Sequence, residues 1–305
     1  MKAARESWTP SSPDTGGHAG AGSTTVTPMA STARNIDRVV AITGGARGIG
    51  RATAEAFGVA GAKVAIGDLD PDLAGPGVLG LPLDVTDPAS FEAFLTEVES
   101  RLGPLDVLVN NAGIMPTGAF LDEDPAMSAR ILDVNVRGVM IGCRLAGRRF
   151  VDRGSGHLIN LASLAGVSTY PNLATYCASK HAVVGFSNAL YRELRGSGVE
   201  VSAVLPGIVR TELSAGTKTS RWVGALSTVD PQDVAAAIVA VADRPKPLIT
   251  VPKRLALTIK AVSLLPVSAQ LAIETAMGAP KAFTEADPAL REVYHRRINA
   301  GSATS

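Results

Sequence analysis

Short apolar runs alternate with stretches of helical periodicity along most of the chain. Seven of the runs predict buried strands, at residues 38–42, 63–67, 81–85, 105–109, 157–161, 199–205 and 248–251. Such runs are typical of strands that are covered on both faces of a parallel sheet. Helices are predicted between them, at residues 51–60, 88–101, 124–151, 174–195 and from 230 onwards. The alternation predicts an α/β fold, a single-domain doubly wound (Rossmann) parallel sheet of about seven strands flanked by helices.

The N-terminal end of the chain departs from this pattern. Residues 1–34 are rich in Ser, Thr, Gly, Pro and Ala without apolar periodicity, which predicts a disordered tail. The tail lacks the apolar run of a signal peptide, and Met29 is a candidate start of translation instead of Met1. A second departure lies at residues 69–81, where prolines and glycines argue against a full crossover helix.

The C-terminal extension, residues 253–305, is predicted to be apolar and helical. Lys260 and Pro266 interrupt its apolar stretch at 254–278, so this stretch is too broken for a helix that spans a membrane. It could cover a ligand cavity, pack on a partner subunit, or lie at a membrane interface with Lys253 and Arg254 beside its apolar face. The first two uses are favoured over membrane contact.

Composition and charge narrow the class of protein. Hydrophobic residues make up 46% of the chain and charged residues 19%, as in a globular protein with a large core. The formal net charge of +1 gives no electrostatic footprint for nucleic acid. Two cysteines, Cys143 and Cys177, and four scattered histidines provide neither a disulfide framework nor metal-ligand spacing. We therefore expect no metal, and reduced thiols in a cytoplasmic protein.

A glycine-rich turn follows the first predicted strand and precedes the first predicted helix. Its residues run Thr43-Gly44-Gly45-Ala46-Arg47-Gly48-Ile49-Gly50. Glycines permit a tight turn and a close approach of ligand to backbone, and the following helix N-terminus attracts a pyrophosphate. The spacing differs from the common Gly-x-Gly-x-x-Gly fingerprint, and a purely structural turn is the alternative. The position between strand and helix favours nucleotide binding.

Two charged residues bear on which nucleotide would bind. Asp68 ends the second predicted strand, where a carboxylate could accept hydrogen bonds from both ribose hydroxyls of NAD and repel the extra phosphate of NADP. Arg47 could act in the opposite sense by pairing with that phosphate. Asp68 would sit directly at the 2′ position, so NAD is predicted and NADP is less favoured.

Polar residues also follow the third and fourth predicted strands. Asp84 could bond an adenine amino group or cap the next helix, although Asp87 is better placed as that cap. The sequence Asn110-Asn111-Ala112-Gly113 suits a backbone that passes close to a ligand. Within the long helix at 124–151, Asn135 has poor helix propensity and is predicted to disturb the backbone hydrogen bonds and hold a water.

Tyr176 and Lys180 are candidate proton-transfer groups. Four residues apart on a helix, their side chains share one face. A lysine ammonium near a phenol favours the phenolate, which could then exchange a proton near neutral pH. On its own, such a pair is a common feature of helix surfaces.

Taken in this order, the motifs resemble those of the short-chain dehydrogenase/reductase family across residues 38–252. Ser163 stands 13 residues before Tyr176, as the family's pattern expects. The resemblance implies an NAD-type oxidoreductase with a catalytic domain at residues 35–252, similar to retinol and hydroxysteroid enzymes. It rests on the glycine-rich turn, Asp84-Val85, Asn110-Asn111-Ala112-Gly113, Asn135, Ser163, Tyr176-x-x-x-Lys180 and Pro206-Gly207.

The resemblance implies a role for each matched residue. Tyr176 would be the general acid/base, and Lys180 would lower its pKa and bond the nicotinamide ribose. Ser163 would orient the substrate oxygen, while Asn135 would hold a water that links Lys180 to solvent. The residues implied in cofactor binding are Gly44, Arg47, Gly48, Ile49, Gly50, Asp68, Asp84, Val85, Asn111, Ala112, Gly113, Tyr176, Lys180, Pro206, Gly207, Ile208 and Thr211.

The expected substrate pocket is mainly apolar, which favours a hydrophobic alcohol, ketone or aldehyde such as a steroid, retinoid or lipid. A small substrate beneath a packed lid at residues 213–226 is the alternative. An NADPH-dependent 3-ketoacyl reductase and a non-catalytic nucleotide-sensing relative also stay open. The resemblance further implies a homodimer or homotetramer through the helices at 124–151 and 174–195. The predicted pocket residues are Ile114, Met115, Leu164, Ala165, Val167, Tyr170, Leu173 and Val209.

Overall fold

The computed structural model describes residues 37–214, 216, 224, 227–276, 281–284, 292, 294–296 and 298. The predicted tail at residues 1–34, the alternative start at Met29 and most of the predicted lid lie outside the described residues.

Seven strands form one parallel sheet in the order β3-β2-β1-β4-β5-β6-β9. Because the order reverses between β1 and β4, a crevice is expected at the carboxyl ends of these two strands. Two further short strands, β7 (Ile208–Val209) and β8 (Thr228–Val229), pair separately. The sheet strands are β1 (Val39–Thr43), β2 (Lys63–Asp68), β3 (Val78–Pro82), β4 (Val107–Asn110), β5 (Gly156–Leu161), β6 (Val199–Pro206) and β9 (Leu248–Val251).

Helices cover both faces of the sheet, which confirms the predicted doubly wound fold. On one face, Phe57 and Ile238 pack against strand residues in one apolar cluster, and on the other Phe91 and Phe150 do so in a second cluster. All four side chains are fully buried. The helices are α1 (Gly48–Val59), α2 (Pro88–Leu102), α3 (Pro125–Leu132), α4 (Gly138–Arg153), α5 (Ala174–Glu193), α6 (Pro231–Asp243), α7 (Arg254–Ser263), α8 (Val267–Ala276) and α9 (Lys281–Thr284).

The third strand was placed three residues too late along the chain by the apolar pattern. Observed β3 ends at Pro82, and the buried Leu83 lies beyond it with its N–H bonded to the Asp68 carbonyl. As β3 is an edge strand, a proline without an N–H can end it. Asp84 and Val85 therefore lie on the loop after β3. The connection from β2 holds only a 3₁₀ turn at Pro71–Leu73, as its prolines and glycines predicted.

The long helix predicted at 124–151 is two helices with an irregular turn between them. A π-helical turn, Asp133–Arg137, separates α3 from α4, and Asn135 lies at its centre with no exposed surface. The expectation that Asn135 disturbs the backbone hydrogen bonds is confirmed. The prediction that these helices and α5 pair with a second copy of the chain stays a prediction.

The C-terminal extension begins with α7 and α8, which are separated at Pro266 as expected. Among the residues from 37 onwards that the structure describes, no helix has the length and hydropathy needed to cross a membrane.

A histidine is buried inside the sheet at the start of β5. The Nε2 atom of His157 lies 2.8 Å from the Ser202 hydroxyl of β6. Burial lowers the pKa of His157 to about 3, and the charge of Arg38 lowers it further in the same direction. The folded protein therefore holds a neutral imidazole here.

We expect stability to fall with acidity because of His157. Between a pKa of about 3 in the folded state and 6.5 in the unfolded chain, the unfolded chain binds one more proton. The free energy of unfolding therefore rises with pH in this window. The stability that the neutral His157 contributes is lost progressively as the pH falls below 6.5. Because of His157, the free energy of unfolding should be about 2 kcal/mol lower at about pH 5 than at about pH 7.5. Urea denaturation at the two pH values measures this difference.

The matched variant is His157→Gln, which does not titrate in this range and retains hydrogen-bonding groups near Ser202. Its loss of stability between the two pH values should be smaller than that of the wild type. An equal loss in both proteins would show that His157 is not held neutral.

Candidate active site

A cavity of about 1590 Å³ opens at the carboxyl ends of the strands, where the strand order reverses. Gly50 and Asn135 are the predicted site residues that do not line it; both are buried behind its surface. The predicted site residues that line it are Gly44, Arg47, Gly48, Ile49, Asp68, Asp84, Val85, Asn111, Ala112, Gly113, Ser163, Tyr176, Lys180, Pro206, Gly207, Ile208 and Thr211.

The glycine-rich turn is built so closely that side chains do not fit in it. A Cβ on Gly44 would lie 2.9 Å from the Cα atom of Ala112, and Gly44 has a φ of +62°. A Cβ on Gly50 would lie 2.2 Å from the carbonyl oxygen of Gly44. Arg47 stands at the N-cap of α1, and its side chain has no acceptor with which to cap the helix. The backbone N–H groups of the first turn thus suit a phosphate.

Hydrogen bonds tie the glycine-rich turn to the loop after β4. The backbone N–H groups of Asn111 and Ala112 both donate to the Thr43 hydroxyl at 3.0 Å. The Asn111 side-chain amide donates to the carbonyl oxygens of Thr43 at 2.9 Å and Gly44 at 2.8 Å. The asparagine side chain thus fixes the shape of the turn, a use that its motif alone did not predict.

Asp68 lies at the end of β2 beside the glycine-rich turn. Its carboxylate accepts hydrogen bonds from the N–H of Ala46 at 3.0 Å and the N–H of Asp70 at 3.2 Å. The guanidinium of Arg47 forms an ion pair with Asp70, with 3.3 Å between Nη2 and Oδ2. The basic and acidic residues that bear on cofactor choice are therefore neighbours at one end of the cavity.

The two acidic residues after β3 have separate contacts. Asp84 accepts from the N–H of Thr86 at 2.8 Å and from its hydroxyl at 2.7 Å, which orders the loop at the cavity. Asp87 caps α2 by accepting from the N–H groups of Ala89 and Ser90. The cap therefore belongs to Asp87, as expected.

Tyr176 and Lys180 lie one turn apart on α5 with Ser163 facing them from the end of β5. The Lys180 ammonium is 5.7 Å from the centre of the Tyr176 ring and donates to the Leu161 carbonyl at 2.9 Å. Ser163 and Tyr176 both line the cavity, and the serine hydroxyl accepts from the N–H of Ala165 at 3.1 Å. Three groups able to move or share a proton thus meet in the cavity.

Burial has the largest effect on the titration of these groups. It raises the pKa of the Tyr176 phenol, although the Ser163 hydroxyl acts in the opposite direction. Burial likewise lowers the pKa of Lys180 to about 8. The helical spacing predicts that the lysine charge favours the phenolate. In the structure the pKa of the phenol is raised instead, because the removal of the phenol from water has the largest effect.

Asn135 holds the loop after β4 from behind the cavity. Its amide oxygen accepts from the N–H of Ile114 at 2.8 Å, and its Nδ2 donates to the carbonyl of Ile114 at 2.9 Å. Nδ2 also donates to the Ser179 hydroxyl at 3.1 Å, which donates in turn to the Tyr176 carbonyl at 2.7 Å. Ser179 is fully buried beside Lys180 and was not predicted as a site residue. The only indication in the sequence is its position on the helix between Tyr176 and Lys180.

The other end of the cavity is apolar, and all eight predicted pocket residues line it. The predicted lid contributes Leu213, whereas Leu226 lies outside the described residues. The C-terminal extension also lines the cavity, which fits the expected cavity cover. The individual lining residues of the extension were not predicted. One signal could have found two of them: aromatic residues are only 4% of the chain, and two of them lie in this segment. The lining residues of the extension include Leu255, Thr258, Val262, Phe283, Tyr294 and Ile298.

Comparison with known proteins identifies the family. The profile of the short chain dehydrogenase family matches residues 38–222, so the chain belongs to this family of nicotinamide-dependent oxidoreductases. A probable oxidoreductase, EphD of Mycobacterium tuberculosis, is 37% identical over 239 residues, which cover 70% of this chain. The chain spans only 40% of the length of EphD.

Two further proteins show this similarity over more of their own length. A 3-alpha-(or 20-beta)-hydroxysteroid dehydrogenase of Mycobacterium tuberculosis is 36% identical over 189 residues, covering 59% of this chain and 72% of that protein. The crystal structure of a short chain dehydrogenase/reductase from Burkholderia phymatum in complex with NAD is 28% identical, with a TM-score of 0.65. It covers 74% of this chain and 92% of that one. The predicted family is thereby confirmed.

We expect Asn135→Ala to lower the free energy of unfolding by about 2 kcal/mol, because it leaves the half-buried backbone groups of Ile114 without their side-chain partner. Urea denaturation measures the change. Asn188→Ala, at a half-buried asparagine of α5, is the control and should cost less. Equal losses in the two variants would mean that the contacts of Asn135 with Ile114 contribute nothing particular to stability.

Proposed function

We propose that this protein transfers a hydride between NAD and a hydrophobic alcohol, with the corresponding ketone or aldehyde as the other partner of the reaction. The observation that carries the proposal is the meeting of Ser163, Tyr176 and Lys180 with the glycine-rich turn in one cavity. The alcohol loses a hydride to the cofactor and a proton to Tyr176; in the reverse direction the carbonyl gains both.

The cofactor end of the cavity fits a nicotinamide dinucleotide. The turn at Gly44 admits no side chain, the first turn of α1 offers backbone N–H groups, and Asp68 stands at the end of β2. These residues would hold the pyrophosphate and the adenosine ribose. When bound, the cofactor supplies the hydride chemistry.

The residues of the chain supply the proton and orient the substrate oxygen. Tyr176 would exchange the proton, and the Ser163 hydroxyl would hold the same oxygen by a hydrogen bond. Lys180, kept near the phenol ring, would stabilise the phenolate when the proton has left. Asn135 would hold a water that links Lys180 to solvent, which is consistent with its place in the π-helical turn.

A preference for NAD over NADP is supported by the pairing of charges at the end of β2. Arg47 already contacts Asp70, and Asp68 carries a second negative charge beside the turn. A phosphate on the ribose would therefore meet two carboxylates against one exposed guanidinium. The NAD complex of the similar Burkholderia phymatum protein agrees with this preference.

A bulky substrate is supported by the size and lining of the cavity. Its volume of about 1590 Å³ lies above the range of roughly 300–1,000 Å³ that is usual for small-molecule sites, which leaves room for a bulky substrate beside a cofactor. Apolar side chains from the loops after β4 and β5 and from the C-terminal extension line the substrate end. The similar hydroxysteroid dehydrogenase, by its name, acts on such a molecule. Assays of NADH absorbance across steroids, retinoids and aliphatic alcohols test this directly.

Tyr176→Phe should lower kcat by at least about 100-fold, because the variant lacks the proton that the reaction exchanges. Binding of NADH, followed by its fluorescence, should stay within about twofold of the wild type, because the ring remains in place. The control is Tyr191→Phe, which removes a phenolic hydroxyl from the same helix. Near-normal turnover in Tyr176→Phe would refute the acid/base role.

We expect the wild type to have the higher kcat/KM with NAD, and Asp68→Ser to raise the kcat/KM for NADP by about tenfold relative to NAD. The reason is the loss of a negative charge beside the position of the extra phosphate. Asp72→Ser, at an exposed aspartate of the 3₁₀ turn, serves as the control for total charge. A wild type that prefers NADP would show that Arg47 outweighs Asp68.

A further inference from the structure

The C-terminal extension brings a buried tyrosine into the active-site cavity. Tyr294 lines the cavity and is only 4% exposed. Its phenolic oxygen accepts a hydrogen bond of 2.8 Å from the backbone N–H of Met115, across 179 residues of sequence. Met115 follows directly on the loop that Asn135 holds in place through Ile114. Tyr294 is thereby fixed to the same loop that borders the catalytic groups.

Two other contacts attach the extension to the rim of the cavity. The guanidinium of Arg130, on α3, donates to the carbonyl oxygen of Ile298. The ring of Phe283 packs edge-to-face on Tyr170, with 5.4 Å between ring centres. The extension is therefore attached both to the loop after β5 and to the helix before the π-helical turn, on two sides of the cavity.

The aromatic part of the extension lies close to the reacting phenol. Phe283 and Met115 belong to one apolar cluster with Tyr176. Besides burial, which has the largest effect, the neighbouring phenol of Tyr294 also raises the pKa of Tyr176. Tyr294 is joined to this cluster by its hydrogen bond with Met115.

We propose that Tyr294 is a specificity-determining residue, which forms with Phe283 and Ile298 a wall that holds the ring system of a bulky alicyclic ketone or alcohol against Tyr176. The inference rests on the proposed function for the identity of the reaction. Beyond that function, the inference identifies the C-terminal extension as the part of the chain that selects the substrate. A substrate of a few carbon atoms has little apolar surface to place on this wall, so the wall favours large substrates.

The strength of the selection follows from the contacts that the wall can make. A tyrosine ring buries a large apolar area, and contacts of this kind in a pocket change the specificity constant by roughly 10- to 200-fold. Tyr294→Ala removes the ring and the bond to Met115, whereas Tyr294→Phe removes the bond alone. The two variants therefore separate the contact surface from the attachment of the extension.

The experiment uses the full chain with progesterone as the bulky ketone and acetoin as the small one. For Tyr294→Ala we expect the KM for progesterone to rise at least about tenfold, while kcat/KM for acetoin and the dissociation constant of NADH stay within about twofold. Tyr294→Phe should show a smaller rise. Arg296→Ala, at an exposed side chain two residues away, should change none of these values.

Calorimetric titration of progesterone into each protein distinguishes this proposal from the proposed reaction. Binding to the wild type that weakens at least about tenfold in Tyr294→Ala supports the wall, whether or not the ketone is reduced. Equal binding by both proteins, or no binding by the wild type, overturns it. Binding without turnover by the wild type shows that progesterone is not a substrate of the proposed reaction and leaves the wall supported. If Tyr294→Ala fails to fold, the same comparison is made with Phe283→Ala, which removes another ring of the wall and leaves the bond between Tyr294 and Met115 in place.

Discussion

The hydrogen bonds between the Thr43–Gly44 turn and Asn111 are the constraint on which the rest of the site depends. They join the carboxyl ends of β1 and β4, the two strands between which the order of the sheet reverses. The crevice that results has glycine backbone on one side and the Asn111–Met115 loop on the other. Cofactor and substrate would meet there because both are bounded by that one loop.

Behind this loop, the π-helical turn between α3 and α4 holds Asn135 against the backbone of the loop. Asn135 offers a donor and an acceptor to the backbone of Ile114, which a regular helix with an apolar residue would not do. Through Ser179, the same side chain reaches the backbone of Tyr176. The loop after β4 and the helix that carries Tyr176 are thus linked by short hydrogen bonds, whose loss would leave polar groups unsatisfied.

The sequence predicts those features whose cause is local. A strand, a glycine-rich turn and a helix in succession are enough to predict the cradle at Gly44, and the i, i+4 spacing is enough to place Tyr176 beside Lys180. The ends of β3 were not predictable in this way, because an edge strand accepts Pro82 and the apolar run continues past it. The direction of the Tyr176 pKa was also beyond sequence, since burial is a property of the folded chain.

The contact of Tyr294 with Met115 marks the limit of what motifs can predict. It joins residues 179 positions apart, and nothing in the spacing of either segment indicates the other. Motifs are most informative at the end of the cavity that holds the glycine-rich turn, because a dinucleotide would impose the same demands wherever it binds. The substrate end depends on which side chains the extension brings back to the cavity, and this requires the tertiary structure.

The central claim is that a nicotinamide cofactor and the Tyr176 group act on the same carbon–oxygen bond in this cavity. The most direct measurement uses NADH that carries deuterium at both positions of the nicotinamide C4 atom, with the best ketone from the substrate assays. Mass spectrometry of the alcohol product should find a single deuterium on the carbon that bears the hydroxyl. An alcohol product without deuterium, formed while NADH is consumed, would contradict the account.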